Sequence, residues 1–370
     1  MSVPLDPEHL TPTASLNRVR LADLPGIGLP PDVCGRRAGE ILSTPALAGE
    51  IERAAPALGL TADELADPRA LPRHFSRCFM DADPAVRATA EQIARRWGRH
   101  LAALLLVVPR GDPANRAARP EWDDSYWAYL AAVRTVYLGG GQVSGPLGPL
   151  MVDEANAVLR ASGQDRCMVH LAAHPAILPL IGAARTVPAG IDAAIVLDFG
   201  NTAVKRGVAR YREGALAALR LLPARPSGLS AGYGPPPADG TAPAWTGDMA
   251  ALLAETWQEA AASGPPPTTA AVAVAGYVRD NHPLPTEAPY LQTGPRIPNL
   301  GAWLGAEMGR RVGRPLAVTV LHDGTAAARA CAGAPHSAVI MLGTWLGVGF
   351  PPPAAACRPL APDLVVIPAE

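Results

Sequence analysis

The chain has 370 residues, 49% of them apolar, with 32 basic and 33 acidic side chains and a formal net charge of −1. That length and apolar content suffice for two domains with separate cores, and the balanced charge argues against both nucleic-acid binding and a polybasic membrane anchor. Five scattered cysteines without a CxxC pair argue against a disulfide framework and a structural zinc site, and point to a reducing, cytoplasmic compartment.

Residues 1–33 are rich in proline and weakly periodic, so an irregular, partly mobile arm is expected. Its opening, MSVPLDPEHLTPT, has no basic or apolar leader segment, and secretion is not expected. Gly39 to Gly59 has helical spacing, and Thr61 with Glu64 forms a capping-box pattern for the next helix. Asp83-Pro84 opens a long helix, DPAVRATAEQIARRWGRHLAALLLVV, with Val86, Ile93, Trp97, Leu101 and Leu104 on one core-facing stripe. The run Leu101 to Pro109 is too short to span a bilayer and reads as a buried helix end. Residues 110–124 read as a polar surface loop.

Ala132 to Pro149 then gives a short strand ending at Gly139, Gly140 and Gly141, and a helix through Val152 to Leu159. A glycine-only turn lets a flat ring or a phosphate approach the backbone, although a plain strand-to-helix turn has the same sequence. A strand at Arg166 to Leu171 and a helix at Ala176 to Arg185 follow.

The stretch Ala194 to Arg210, AIVLDFGNTAVKRGVAR, is an apolar strand running into Asp198, Gly200, Asn201, Thr202 and Lys205. Gly200 has room for unusual backbone angles, and Thr202 with nearby N–H groups can donate to phosphate oxygens. Asp198 is a candidate Mg²⁺ ligand, because hard cations prefer carboxylate oxygen. Lys205 is the one lysine of the chain; it reads either as a phosphate cation or as a solvated strand residue.

Downstream come a strand at Leu216 to Leu222, a Pro/Gly-rich loop at Pro223 to Ala244 long enough to act as a flap, a helix at Thr246 to Ser263 and an apolar strand at Thr269 to Val278. Pro298-Asn299-Leu300 precedes a helix from Ala302 to Val312. The strand LAVTVLHDG ends at His322-Asp323-Gly324, followed by a small-residue helix. A last strand, Ala338 to Leu342, turns at Gly343-Thr344 and returns through Gly347 and Gly349 to a Pro-rich tail. The alternation predicts α/β architecture with mixed sheets.

Two Asp/Gly/Thr strand ends and a separate triple-glycine turn together resemble the superfamily of actin, hexokinase and heat-shock ATPases, and within it the ROK sugar kinases. Asp198 to Thr202 is similar to the first phosphate motif, His322 to Ala328 to the segment bearing the catalytic base, and Gly343 to Gly349 to the second phosphate hairpin. Leu138 to Gly141 is similar to the adenosine motif, and Pro298 to Leu300 with Trp303 to the sugar-pocket segment. The order is rotated: residues 34–186 resemble the family's back half and 190–350 its front half, with the family's original ends joined near Thr186 to Gly190. The resemblance covers roughly 310 residues. It departs at Asn201, which replaces a glycine, at His322, which replaces an asparagine, and at Cys34-Gly35, the remnant of a zinc cysteine cluster. No ExGH stretch lies between Phe350 and Cys34 where the rotation would place it.

The resemblance implies a two-lobed, circularly permuted actin/hexokinase-like (ribonuclease H-like) fold. The arm at 1–33 would precede the back half of the large lobe at 34–186. The small lobe would be 190–300, the start of the large lobe 301–350 and the tail 351–370. It implies ATP-dependent phosphoryl transfer to a hydroxyl of a sugar, amino sugar or cyclitol. Asp323 would be the general base, Mg²⁺ would sit at Asp198, and Gly200, Asn201, Thr202, Lys205, Gly343, Thr344, Gly347 and Gly139 to Gly141 would hold ATP. Asn299, His322, Asp323 and Glu40 would meet the acceptor, with His322 read equally as a packing histidine. No helix-turn-helix precedes the domain, so a DNA-binding repressor is not expected; a homodimer is compatible. The alternative is a non-catalytic sugar or nucleotide sensor of the same fold, and a third reading is another nucleotide-dependent group transfer.

Overall fold

Secondary structure begins where the caps are. Glu40 accepts from the Arg37 N–H to open α1 (Ala38–Leu42), and Ser43 caps α2 (Thr44–Ala54), so the helical stretch breaks in two. Thr61 and Glu64 form the expected capping box on α3 (Ala62–Leu65), and α4 (Leu71–Cys78) follows. Asp83 accepts from the Ala85 N–H to start α5 (Pro84–Arg110), which stops at left-handed Gly111. Next come α6 (Pro113–Ala117), α7 (Asp124–Ala131), β1 (Thr135–Gly139), α8 (Leu147–Ala161), β2 (Met168–Leu171) and α9 (Leu178–Ala184). The strands β3 (Ala193–Phe199), β4 (Ala203–Arg212) and β5 (Ala215–Pro226) are followed by α10 (Ala244–Ala262) and β6 (Thr269–Val274). Two short strands, β7 (Val278–Arg279) and β8 (His282–Pro283), precede α11 (Leu300–Val312), β9 (Ala317–His322) and α12 (Asp323–Ala330). The chain closes with β10 (Ser337–Leu342), β11 (Leu346–Gly349) and β12 (Leu360–Ile367).

The computed structural model describes residues 5–67, 70–164, 166–228, 244–284 and 297–369. They form an α/β protein with mixed parallel and antiparallel sheets, grouped into two units. The first comprises Met1–Leu5, Thr13–Ala176 and His336–Val348, and the second Asp6–Pro12, Ile177–Pro335 and Gly349–Glu370.

In the first unit the sheet order is β11-β10-β1-β2, with β1 parallel to both β10 and β2. Helices α5 and α8 pack closely at Gly98, where a Cβ would stand 2.7 Å from the Met151 carbonyl oxygen. The buried stripe of α5 includes Val86, Ile93, Trp97, Leu101 and Leu104, as its periodicity predicts.

Two expectations fail here. Residues 110–124 are not a plain surface loop: they contain α6, and Asn115, Arg119 and Trp122 are buried. Arg119 and Trp122 donate to the carbonyl of Thr13 at 2.8 and 2.7 Å, and Arg119 also to that of Ser15 at 2.7 Å. The segment after Thr13 is therefore irregular yet tied down, with Leu16, Val19, Leu21 and Leu24 buried.

The second unit carries a six-stranded sheet, β12-β5-β4-β3-β6-β9. Strands β3, β4 and β5 form an antiparallel meander, while β6 and β9 run parallel to β3. Strand β3 is buried on both faces, which is why its sequence reads as a continuous apolar run. Ile195, Leu197 and Phe199 join one core cluster with residues of α10 and α11, and Ala194 and Val196 join another with residues of α9. By strand alternation Asp198 shares the α9 face.

Residues 301–335, expected to open the large lobe, belong to the same unit as 190–300, because β9 pairs along its whole length with β6. The tail at 351–370 is not a free tail: β12 pairs in parallel with β5. Of the loop expected at 223–244, residues through Pro226 continue β5, and residues 229–243 lie outside the described residues.

Candidate active site

In open α/β sheets, ligands bind beyond the carboxyl ends of parallel strands. In the second unit that edge carries Asp198 at the end of β3 and His322-Asp323 at the junction of β9 and α12. The register aligns Phe199 with Val274 and Val274 with His322, so β6 is the one strand between them.

Helix α12 is held in place by two close approaches. A Cβ on Gly182 of α9 would stand 1.6 Å from the Ala326 carbonyl oxygen, and one on Gly349 would stand 2.0 Å from that of Gly324. Only glycine permits both contacts, and together they fix the first turn of the helix on which Asp323 sits.

His322 is the N-cap of α12. Its Nδ1 accepts from the Thr325 N–H at 3.2 Å and lies 3.3 Å from Thr325 Oγ1. The ring is 5% exposed, stacks on Tyr277 with centroids 4.5 Å apart, and burial pushes its pKa down to about 3. A neutral imidazole that accepts at Nδ1 carries its hydrogen on Nε2. That Nε2 lies 3.1 Å from Asp323 Oδ1.

Asp323 Oδ1 accepts from the Gly324 N–H at 2.7 Å. With Oδ1 engaged by this donor, Oδ2 is the oxygen directed to other chemistry. About a quarter of the Asp323 side chain remains accessible, so it is reachable although enclosed by protein (26%). Burial, and after it the negative charge of Asp198, push its carboxyl up to about 7. The Gly324 N–H and the Lys205 charge pull in the opposite direction without cancelling the rise. A carboxylate that titrates near neutrality is suited to accept a proton.

Asp198 is buried, and the side chain opposite it on β4 is Lys205. The ammonium lies 3.2 Å from Asp198 Oδ2, with Lys205 one-third exposed. Lys205 is thus paired with the candidate metal ligand. Its neighbour Arg206 points to the other face, fully buried, 3.1 Å from Glu259 and 3.2 Å from Glu255 of α10.

Gly200, Asn201 and Thr202 form the turn between β3 and β4, as expected. Gly200 does not use left-handed backbone angles; a Cβ there would meet the Ala203 carbonyl oxygen at 3.1 Å. Asn299 serves as N-cap of α11, accepting from the Ala302 N–H at 2.8 Å. Trp303, expected in a sugar pocket, packs against the core under α10 and α11.

The first unit holds the remaining residues. Gly140 has φ of 106°, and its Cβ would stand 2.1 Å from the Leu342 carbonyl oxygen, so close strand packing alone requires glycine there. Gly139 is the last residue of β1, while Gly141 faces open space. The Gly343 carbonyl accepts from Thr44 N at 2.8 Å and Gln142 Nε2 at 2.9 Å. Thr344 occupies the turn and Gly347 lies in β11. Glu40 spends its carboxylate on the Arg37 N–H at 3.0 Å.

The Asp198–Lys205 pair and the capping role of His322 were missed by sequence reasoning, although both have signals: opposite charges on the two strands flanking a tight turn, and a His three residues before a Thr at a strand-to-helix junction. No family model, curated protein or solved structure matches the chain.

Proposed function

We propose that the chain is an ATP-dependent phosphotransferase acting on a hydroxyl of a sugar or sugar-like polyol, with Asp323 as the general base. The observation that carries this reading is the state of Asp323: one oxygen fixed by the Gly324 N–H, partial access, and a carboxyl raised to about 7.

Topology supports an actin/hexokinase-like, permuted arrangement. The second unit runs as a three-stranded meander, a helix, a parallel strand, a helix and a second parallel strand leading to α12. The first unit has a related sheet assembled from both ends of its sequence: the late β10 and β11 lie beside the early β1 and β2. Started at β3 and wrapped around, the chain would contain two successive variants of one strand pattern, the second lacking a strand.

In this reading Asp323 Oδ2 takes the proton of the acceptor hydroxyl as that oxygen attacks the γ-phosphorus and ADP leaves with the bridging oxygen, while the Gly324 N–H holds Oδ1. Lys205 contributes positive charge next to the phosphates, since phosphoryl transfer asks mainly for positioning and charge neutralisation. Mg²⁺ takes oxygen ligands, keeps several waters and needs only one or two carboxylates beside substrate phosphates. Asp198 fits that limited role; among the described residues no group of three or more His, Cys, Asp or Glu side chains forms a protein cage. When bound, the ion would neutralise phosphate charge.

The test is ADP release from ATP and Mg²⁺ across a panel of sugars, amino sugars and cyclitols. Acceptor-dependent release supports the kinase. Binding of a panel member without release at any pH between 6 and 9 overturns it in favour of a non-catalytic sensor.

A further inference from the structure

The first unit holds a cavity of about 300 Å³ lined by Arg18, Arg20, Arg37, Ala118, Arg119 and Glu121. Four arginines share the lining with one carboxylate, an excess of three positive charges in a chain whose net charge is −1. Local structure accounts for the clustering. Residues 19–21 and 36–38 run antiparallel: the Leu21 N–H donates to the Arg36 carbonyl at 2.9 Å and the Ala38 N–H to that of Val19 at 2.8 Å. That pattern makes Arg20 and Arg37 a non-hydrogen-bonded pair, the position at which side chains on neighbouring strands stand closest. Val19 and Leu21 are buried while Arg20 is exposed, so alternation turns Arg20 away from the core.

The one carboxylate is already engaged. Glu121 Oε1 lies 2.7 Å from Arg119 Nη1 and 3.6 Å from Arg18 Nη2. Arg119 is built into the wall: it is 2% exposed, donates through Nη2 to the carbonyls of Thr13 and Ser15, and lies over the Trp122 ring at 4.6 Å.

Arg20 and Arg37 have no such counter-charge. Among the described residues, neither has a carboxylate within ion-pair distance. The nearby Glu40 accepts from the Arg37 backbone N–H, and it lines a different cavity together with Arg36. Like charges directly opposite on paired strands are destabilising. The Arg20 and Arg37 pair therefore costs stability as it stands, and an anion between the two guanidiniums turns that repulsion into attraction.

We propose that this cavity binds a small molecule through a phosphate group, received by Arg20 and Arg37, with Arg18 and Arg119 adding positive charge. A carboxylate has two oxygens and fills one guanidinium fork, whereas a phosphate has three and carries nearly two charges at neutral pH. Two uncompensated forks side by side match the phosphate. The lining lies wholly in the first unit, while Asp198 and Asp323 belong to the second. The site does not depend on the phosphotransferase reading and stands or falls without it.

The test is calorimetric titration of the full chain with inorganic phosphate and, separately, with acetate at matched ionic strength. Saturable phosphate binding is expected, with acetate bound at least about tenfold more weakly. Arg20→Gln and Arg37→Gln should each weaken phosphate binding at least about tenfold, since each removes one charge-assisted fork. Arg37→Glu replaces a like-charged pair by an opposite one, so it should abolish binding and, without phosphate, melt higher than the parent. Binding should persist in Asp323→Asn and Lys205→Met, which separates this cavity from the other site. No saturable phosphate binding overturns the proposal. So does phosphate binding that Arg20→Gln and Arg37→Gln leave unchanged, binding that Lys205→Met removes, or acetate bound as tightly as phosphate.

Discussion

His322 places its Nε2 3.1 Å from Asp323 Oδ1, while its Nδ1 caps the helix that Asp323 begins. One ring thus caps the start of α12 and stands beside its first carboxylate. His322→Asn retains an oxygen able to cap Thr325 but loses the reach to Oδ1. His322→Ala loses both, at an additional stability cost of about 1 kcal/mol for the cap. Turnover in both variants should fall about tenfold, because both remove the buried imidazole that stands beside Asp323 Oδ1. Thermal melts together with kcat separate the two roles: equal kcat losses with unequal melting temperatures are expected.

Acidity should report on Asp323 directly. A base must be ionised, and burial with the Asp198 charge raises the Asp323 carboxyl to about 7. The rate profile should therefore fall on the acid side with a midpoint near 7. Stability has the opposite dependence. Between the ordinary value of 3.8 and about 7 the folded form holds a proton that the unfolded form has lost, so this residue lowers stability as pH rises through that window. Asp323→Asn should accordingly melt higher than the parent above pH 7 and gain nothing below pH 4, measured by scanning calorimetry.

Neighbouring charges should move the same midpoint in opposite directions. Asp198 raises the Asp323 carboxyl and Lys205 lowers it. Asp198→Asn should shift the acid limb to lower pH, and Lys205→Met to higher pH. Profiles of kcat/KM for the two variants check both signs.

The glycine turn offers a separation of packing from binding. Gly140→Ala forces a Cβ to within 2.1 Å of the Leu342 carbonyl and a side chain into φ of 106°, so loss of the folded state is expected. Gly141→Ala meets nothing, and its stability should stay within about 0.5 kcal/mol of the parent. If the turn receives adenosine, Gly141→Ala weakens nucleotide binding without a change in melting temperature, as read by calorimetry.

Local signals were legible where a short stretch decides its own structure. Asp83-Pro84, the Thr61/Glu64 box and the β3–β4 turn lie at the expected places because caps and turns act over a few residues. Partnerships between distant segments were not legible. Strand β12 was hidden behind Pro359 and Pro362, although Val365 to Ile367 is a β-branched run, and its partner β5 lies well over a hundred residues earlier. Arg119 and Trp122 looked like loop polarity until Thr13 and Ser15 supplied their acceptors. The positions of Asp198 and Asp323 could be read from the sequence; the identity of what touches them could not. Tyr277 is set by ring stacking on His322, which leaves no mark in spacing alone.

The most direct test of the phosphotransferase reading compares the parent chain with Asp323→Asn, measuring ATP binding and acceptor-dependent ADP release on the same preparations. The account predicts unchanged ATP affinity with turnover reduced by at least about 100-fold, the lower end of what a general base contributes. Acceptor-dependent turnover in Asp323→Asn equal to that of the parent would contradict it.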